Sequence, residues 1–217
     1  MNPQLEIITY GNPTREQLEQ MQQATPYDYL LPKMFDDIPC PSNISTLTYD
    51  ELKELVQYQQ HYNYLSESTK RRYEAYDKDL SQATANFIYN QTGINIKEAF
   101  DEMIQDTKPV LLKLKYKYQR PRPFQLAWHF KQSIFPRLSL TANSPSFPSG
   151  HIFQLTLLIE TMGSLHPSIY DHLKKLLSEV CEQRLFYGLH YPSDCDAAQQ
   201  LAKTITRSKE WTKKYNI

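Results

Sequence analysis

Apolar residues recur every three or four positions along most of the chain after residue 47, a spacing that predicts a series of amphipathic helices. The capping-box pattern at Thr48–Glu51 predicts the start of the first of these helices. A second helix is expected from about residue 66 to residue 92, because Gly93 suits the position that follows a helix C-terminus. Asn95 opens a third helix, and Pro109 either kinks it or begins a new one.

The second half of the chain continues the helical pattern. Residues 152–159 are mostly apolar and follow a turn directly, which indicates a buried helix. Pro167 starts a long amphipathic helix that Gly188 interrupts, and Pro192 suits the first position of another. The pattern therefore predicts an all-α fold, in the form of a single-domain helical bundle.

The first 47 residues carry weaker periodicity and most of the early prolines. Residues 1–12 are expected to form an extended arm, and a capping box that begins at Thr14 starts a short helix that ends before Pro26. Residues 26–46 predict an ordered Pro-rich loop on the surface, with a Pro-rich linker as the alternative. We expect residues 1–47 to pack on a helical domain of residues 48–217, so that the chain forms one globular unit.

Charge and hydropathy narrow the classes of partner. Lys and Arg together number 24, as do Asp and Glu, so the net charge is zero and no basic field favours a nucleic-acid partner. The mean hydropathy is −0.62, and the apolar stretches end well before the ~20 residues that a membrane-spanning helix needs. We therefore expect a soluble protein with no membrane span. The first residues lack the pattern of a secretory signal, which favours the cytoplasm unless a leader has been removed.

Several reactive or charged residues have ordinary structural interpretations. The three cysteines, Cys40, Cys181 and Cys195, show no Cys-x-x-Cys spacing, which argues against a zinc site or a disulfide framework. Free buried thiols are favoured, and a Cys181–Cys195 bridge is the alternative. One group of charged residues is expected to form a solvated helix face: Lys70, Arg71, Arg72, Asp77, Lys78 and Asp79. Four histidines are expected to be surface or structural residues: His61, His129, His166 and His172.

The turn before the apolar run carries the first candidate chemistry. Pro148 presets the turn, Ser149 is a good N-cap, and Gly150 lets a ligand approach the backbone. The free N–H groups of the first helical turn and the helix dipole favour an anion such as phosphate, and His151 could move a proton at its edge. An ordinary turn with an N-cap explains the same residues.

Cations cluster ahead of this turn. Five of the ten residues from Lys113 to Arg122 are Lys or Arg. Arg120 and Arg122 each precede a proline, which keeps the backbone extended, and two guanidinium groups held in this way suit an oxyanion. A charge cap on a helix C-terminus is the alternative interpretation.

A third group of residues surrounds His190. Arg184 lies six residues before His190, and Asp194 lies four residues after it. A carboxylate close to an imidazole accepts the Nδ1 proton and leaves Nε2 available as a nucleophile. A core histidine beside an N-capping aspartate is the other interpretation. A metal site is disfavoured, because no further ligands stand at a recognisable spacing.

Together, three segments resemble in order and spacing the signature shared by type 2 phosphatidic acid phosphatases, class A bacterial acid phosphatases and vanadium haloperoxidases. The segments are Lys115-x6-Arg122-Pro123, Pro148–His151 and Arg184-x5-His190-x3-Asp194. The resemblance covers about residues 113–202, and its local forms look most like the soluble class A acid phosphatases. The chain departs from the pattern at Gln183, where the family usually has serine, and residues 1–95 match no motif.

The resemblance implies a fold, the helical bundle of the acid phosphatase and vanadium haloperoxidase type, and a role for each matching residue. The groups implied to bind the phosphate oxygens are Lys115, Arg122, Ser149, Gly150 and Arg184. His190, oriented by Asp194, would attack phosphorus, and His151 would protonate the leaving group and then activate water. No metal and no cofactor are implied, although vanadate would bind as an inhibitor or adventitious cofactor. Arg120 and Lys117 are expected to lie behind these residues or to face solvent.

The resemblance and the length of the chain together favour a soluble, metal-independent acid phosphatase that hydrolyses phosphate monoesters through a phosphohistidine on His190. Two alternatives stay open: a vanadate-dependent haloperoxidase-like enzyme, and a non-catalytic helical protein that binds phosphate or a phosphorylated ligand. The expected partner is a small phosphorylated substrate, and a homo-oligomer is compatible with the sequence. Similar enzymes are commonly periplasmic, although the first residues of this chain favour the cytoplasm.

Overall fold

The computed structural model describes residues 3–217, and every regular element in that range is helical, which confirms the predicted all-α fold. The α-helices are α1 (Arg15–Met21), α2 (Leu31–Asp37), α3 (Thr46–Tyr62), α4 (Glu67–Lys78), α5 (Leu80–Thr92), α6 (Lys97–Tyr118), α7 (Pro123–Leu126), α8 (Gly150–Leu165), α9 (Tyr170–Phe186), α10 (Pro192–Thr206) and α11 (Lys209–Tyr215). Short 3₁₀ segments lie at Pro3–Ile7, Asp28–Leu30, Ala127–Phe130 and Pro167–Ile169.

Helix α8 is the most deeply enclosed of these helices. Its side chains are buried at most positions from Ile152 to Met162, and it packs against α6, α9 and α10. A helix that is apolar on all sides, rather than along one stripe, is stable only when other helices surround it. The N-terminal turn of α8, which begins at Gly150, is therefore fixed from several directions.

Residues 26–46 are not the surface loop that the prolines suggested. They contain a 3₁₀ turn and helix α2, and Pro32 lies in the first turn of α2, where its missing N–H costs no hydrogen bond. Tyr27 and Met34 are buried in the main core. The sequence did not predict helix α2, because the few apolar residues of this segment contact distant helices rather than one another.

The arm predicted over residues 1–12 contains a 3₁₀ turn at Pro3–Ile7, and residues 1 and 2 lie outside the described range. The side chain of Asn43 donates hydrogen bonds to the carbonyl oxygens of Leu5 and Ile8, at 2.9 and 2.8 Å. These bonds hold the arm against the segment that precedes α3.

Two of the predicted capping boxes have different outcomes. The box at Thr14 is present, because Thr14 and Gln17 each accept the other's backbone N–H, so the predicted start of α1 is confirmed. The box predicted at Thr48–Glu51 is wrong. Helix α3 begins earlier, with Ser45 as the N-cap that accepts the N–H of Thr48 at 3.1 Å.

The helix predicted over residues 66–92 is two helices, α4 and α5. They separate at Asp79, whose backbone is extended (φ −155°, ψ 92°) and whose side chain caps α5 by accepting the N–H of Gln82. The predicted end at Gly93 is confirmed, because Gly93 has a left-handed conformation (φ 73°) that favours glycine. Helix α6, in contrast, continues through Pro109 to Tyr118 without a second start.

The predicted helices of the C-terminal half are present with small shifts. Pro167 begins a 3₁₀ turn that leads into α9, and Pro192 lies in the first turn of α10, as expected. Helix α11 was not predicted. Ser208 caps it, and Trp211 is fully buried beside Tyr27, at 5.7 Å between ring centroids.

Candidate active site

A pocket of about 360 Å³ lies where the C-terminal parts of α6 and α9 meet the N-terminal turn of α8. Six of the eight residues that the sequence singled out line it: Lys115, Arg122, Gly150, His151, Arg184 and His190. The other two, Ser149 and Asp194, are fully buried outside the lining, and the N–H of Ser149 donates to the carbonyl oxygen of Asp194 at 3.0 Å. The fold therefore brings all three sequence segments together.

His190 is held through both of its ring nitrogens. Nδ1 lies 3.2 Å from Oδ2 of Asp194, and Nε2 lies 3.0 Å from Nη1 of Arg122. A carboxylate only accepts at neutral pH and a guanidinium only donates, so these partners assign the proton to Nδ1 and the lone pair to Nε2. The lone pair of His190 is thus on Nε2, the nitrogen that faces the cations of the pocket and accepts from Arg122.

The segment between α7 and α8 fixes two of these cations through its carbonyl oxygens. Arg122 donates from Nε and Nη2 to the carbonyl oxygen of Ser144, at 3.0 and 2.7 Å, and from Nη1 to that of Leu189, at 2.8 Å. Lys115 donates from Nζ to the carbonyl oxygen of Pro145 at 2.6 Å. Among residues 3–217, neither side chain has a carboxylate partner, so their positive charges are positioned but not neutralised.

Arg184 is neutralised by a residue that the sequence assigned to a solvated face. Asp77 is buried, and its Oδ1 accepts from Nη1 and Nη2 of Arg184, at 2.9 and 3.0 Å. The expectation for Asp77 is therefore wrong. Its neighbour Lys78 is exposed, as expected, because the helix turns that side chain away from Arg184.

The turn at Pro148–His151 keeps its predicted position but not its predicted hydrogen bond. Ser149 occupies the N-cap position of α8, yet its side chain makes no capping bond, and its hydroxyl oxygen is buried without a protein partner. The imidazole of His151 donates from Nε2 to the carbonyl oxygen of Tyr76, at 3.2 Å, because a carbonyl can only accept. Nδ1 of His151 is therefore the nitrogen that can gain and lose a proton.

A buried ion cluster supports Asp194 from behind. Arg120 donates from Nη1 to Oδ1 of Asp194 at 2.6 Å and from Nη2 to Oε2 of Glu51 at 3.1 Å. Glu51 also accepts from the backbone N–H and the hydroxyl of Ser193, at 2.6 and 2.9 Å. Arg120 thus lies behind the site, one of the two placements expected for it, whereas Lys117 lies over the ring of Phe35.

Comparisons with known proteins give a relative of known structure but no sequence relative. No protein-family model and no curated protein matches the chain. A transmembrane PAP2-type phosphatidylglycerolphosphate phosphatase from Bacillus subtilis superposes with a TM-score of 0.51. The match covers 87% of this chain and 91% of that one, at 13% sequence identity. The chain has the PAP2-type fold.

Among residues 3–217, no helix combines the length and the apolar character that are needed to cross a bilayer.

Burial is the largest influence on the pKa values of the two histidines in this pocket. Desolvation, followed by the charge of Arg122, lowers the pKa of His190 well below its usual value, although Asp194 opposes the shift. Desolvation and then Arg184 lower the pKa of His151 in the same direction. Burial alone would raise the pKa of Asp194, but Arg120 and His190 outweigh it and lower that pKa, so the carboxylate stays ionised.

The same physics lowers the pKa values of two cations in the pocket. Desolvation, followed by the repulsion of Arg122, lowers the pKa of Lys115 well below its usual value. Desolvation and Arg184 lower the pKa of Arg122 to about 10. A bound anion would reverse both effects, because it supplies the missing negative charge next to these groups.

Three residues of this arrangement were missed or misread in the sequence. Asp77 stands among charged residues of an exposed helix, and Glu51 was assigned to a capping box. Ser139, whose hydroxyl donates to Oδ1 of Asp77 at 2.6 Å, belongs to a segment without periodicity. The alternation of buried and exposed positions on α4 places Asp77 beside the buried Tyr73 and Tyr76, and this is the one signal that could have found it.

Proposed function

We propose that this chain is an acid phosphatase that hydrolyses phosphate monoesters through a phosphohistidine on His190 and without a metal. One observation carries the proposal: the unprotonated Nε2 of His190 faces a pocket in which Lys115 and Arg122 are desolvated and lack carboxylate partners. Phosphoryl transfer depends mainly on positioning and on stabilising the charge of the equatorial oxygens, which such cations supply.

In the first step, Nε2 of His190 forms a bond to phosphorus while the bond from phosphorus to the ester oxygen breaks. The leaving oxygen takes its proton from Nδ1 of a protonated His151 and departs as an alcohol. Asp194 accepts the Nδ1–H bond of His190 and stabilises the positive charge that develops on the ring. Lys115, Arg122 and Arg184 bind the phosphoryl oxygens, assisted by the hydroxyl of Ser149 and the N–H of Gly150.

In the second step, water attacks phosphorus from the side that the alcohol has left. Nδ1 of His151, now unprotonated, takes a proton from that water, the new P–O bond forms, and the bond from phosphorus to Nε2 breaks. Inorganic phosphate leaves, and His151 is again protonated for the next cycle. The two steps consume one ester and one water and release one alcohol and one phosphate.

The experiment that tests the proposal is a chemical quench of the full chain with p-nitrophenyl phosphate in the presence of EDTA. We expect acid-labile, alkali-stable phosphate on the peptide that contains His190. Vanadate, which mimics the five-coordinate state, should inhibit turnover in competition with substrate. Phosphate on another residue, or turnover that EDTA abolishes, would overturn the proposed mechanism.

The buried hydroxyl of Ser149 offers a test that separates function from folding. Because this hydroxyl has no protein hydrogen bond to lose, Ser149→Ala should change the free energy of unfolding by less than about 1 kcal/mol. If the hydroxyl binds the phosphoryl group, kcat/KM should fall by roughly 10-fold. Thermal unfolding and steady-state kinetics on the same sample measure both. A large loss of stability with unchanged kinetics would remove Ser149 from the phosphate site.

The pH dependence of kcat/KM should place the maximum on the acid side of about pH 6.5, the usual pKa of histidine. The free enzyme must carry a proton on His151 and none on Nε2 of His190, and the pKa of each is lowered. As the pH rises above the pKa of His151, the acid form is lost and kcat/KM falls.

The control for this profile is His151→Ala. Titration of the substrate continues in the variant, whereas the alkaline limb that belongs to His151 should disappear. The variant should also lose more activity toward an alkyl phosphate than toward p-nitrophenyl phosphate, because nitrophenolate leaves without a proton. Equal losses for both substrates would remove His151 from the role of general acid.

A further inference from the structure

Residues 135–140 directly precede a part of the chain that lines the candidate site. Several of their large apolar side chains are exposed to solvent. The exposed fractions of Phe135, Leu138 and Leu140 are 76%, 92% and 70%. Single exposed apolar residues are ordinary on protein surfaces, but three within six residues are a cluster. We propose that this segment docks the protein on the surface of an anionic lipid bilayer.

The backbone of the 135–140 segment is anchored, so these side chains are held outward. The N–H of Phe135 donates to Oε1 of Gln59 at 3.0 Å, and the N–H of Arg137 donates to the carbonyl oxygen of Tyr187 at 3.0 Å. The N–H of Leu140 donates to Oδ2 of Asp77 at 3.1 Å. These three backbone bonds fix the course of the segment on either side of Leu138.

Ser139 ties the same segment to the candidate site. In an extended chain, successive side chains point to opposite sides, and Ser139 points inward between the exposed Leu138 and Leu140. Its hydroxyl donates to Oδ1 of Asp77 at 2.6 Å, the oxygen that also binds Arg184. Residues 141–144, which follow directly, line the pocket. A bilayer against this segment would therefore lie beside the pocket entrance.

The distribution of charge selects an anionic surface as the partner. Residues 107–159 contain eight Lys and Arg and no Asp or Glu, and of these eight Lys115, Arg120 and Arg122 are buried and Lys113 pairs with Asp28. Arg137 lies inside the segment, and Lys78 and Lys108 line the pocket with no ion pair among residues 3–217. Three carboxylates lie nearby: Glu74 lines a surface cavity with Arg137, Asp79 caps α5, and Asp101 pairs with Lys97.

A second copy of the chain fits this surface less well. A two-fold contact would place the same segment on both sides and bring Arg137 close to its own counterpart. Apolar side chains that enter the headgroup region, with cations beside them, are instead the composition of peripheral membrane contacts. The proposed phosphatase would then meet an amphiphilic phosphate monoester at the interface. That last clause rests on the proposed function, whereas the docking itself does not.

The test is co-sedimentation of the full chain with vesicles of equal parts phosphatidylcholine and phosphatidylglycerol, and with vesicles of phosphatidylcholine alone. We expect binding to the anionic vesicles that weakens with salt, and a loss of roughly 10-fold or more in the Phe135→Ser/Leu138→Ser variant. Hydrolysis of soluble p-nitrophenyl phosphate should not change in that variant. The matched control is Ile7→Ser, which removes a side chain that is 79% exposed elsewhere on the surface.

A second measurement places the contact. In a Trp128→Phe/Leu138→Trp variant, the other tryptophan, Trp211, is fully buried, so a blue shift of the emission on adding anionic vesicles reports entry of residue 138 into lipid.

Failure of the wild type to bind vesicles, or full binding by the double serine variant, would overturn the docking. A dimer that the same serine substitutions abolish, without vesicle binding, would assign the surface to a second copy. Vesicle binding without any phosphatase activity would leave the docking intact and overturn the proposed function.

Discussion

Replacement of His190 by alanine is expected to lower kcat/KM for p-nitrophenyl phosphate by about 10⁴-fold or more, the scale on which enzymes lose a covalent nucleophile. The physical reason is that His190 supplies the attacking lone pair, and no other pocket residue offers an unprotonated nitrogen held between a carboxylate and a guanidinium. Steady-state kinetics with EDTA present measure the effect. The matched control is His61→Ala, since His61 is exposed and lies outside the pocket.

A rescue experiment makes this prediction sharper. In His190→Gly, added imidazole can occupy the space of the lost ring and accept the phosphoryl group, so activity should rise with imidazole concentration. Asp194 and Arg122 remain in place to orient the added ring through its two nitrogens. A variant with near wild-type activity, or one that is folded but never rescued while another residue becomes phosphorylated, would show that His190 is not the nucleophile.

The candidate site could be assembled from the sequence because its residues lie in short segments with fixed spacing. His190 and Asp194 are four residues apart across the start of α10, so one turn of backbone brings them within 3.2 Å. Pro192 and Gly93 mark helix ends for local reasons, and both were predicted correctly. A single sequence predicts such local backbone features better than it predicts tertiary contacts.

The partners of these residues could not be predicted, because they are decided by tertiary contacts. Asp77 and Arg184 are 107 positions apart, so the helical spacing of Asp77 from the buried Tyr73 and Tyr76 can indicate that Asp77 is buried but not which residue it binds. Glu51 satisfies a capping-box pattern by composition, but Ser45 caps α3 and frees that carboxylate for Arg120 and Ser193.

Two buried carboxylates, those of Asp77 and Asp194, fix the orientation of side chains that line the pocket. Asp77 and Asp194 each hold a cationic or imidazole group of the pocket from outside its lining. Their own positions are fixed by donors on elements far apart in the chain, namely Leu140 for Asp77 and Arg120 for Asp194. Such shared acceptors mean that the pocket geometry depends on residues that never touch a ligand.

Arg120→Met is therefore expected to destabilise the protein by about 3–5 kcal/mol at neutral pH, the range for removing one partner of a buried ion pair. Arg120 is the cation shared by Asp194 and Glu51, and all three side chains are buried. Methionine keeps much of the volume, so the loss is one of charge rather than of packing. Chemical denaturation of wild type and variant measures the difference, and Arg15→Met, at a fully solvated ion pair, is the control.

The loss of stability in Arg120→Met should depend on pH. In the wild type, Arg120 holds the pKa of Asp194 below its usual value, so the stabilisation is present at neutral pH and is lost as the pH falls through that lowered pKa. Without Arg120, the strongest influence that lowers the pKa of Asp194 is lost, so this pKa should lie above its wild-type value, and protonation then relieves the buried charge at a higher pH than in the wild type. The difference in free energy of unfolding between the two proteins should be largest near neutral pH and should narrow as the solution is made acid. A difference that is small, or that widens in acid, would contradict the assigned role of Arg120.

The value of kcat/KM should also depend on whether Asp194 is protonated. When Asp194 is protonated, it no longer accepts the Nδ1–H of His190 as a carboxylate, and the imidazole can take the wrong tautomer, with its proton on Nε2. The Arg120→Met variant should therefore lose kcat/KM, by less than His190→Ala. Adding Glu51→Gln removes one of the two stranded carboxylates and should recover part of the stability. It should recover little of the activity, because Asp194 still lacks its cation. Recovery of stability without recovery of kcat/KM would show that the cluster both stabilises the fold and, separately, orients His190 through Asp194.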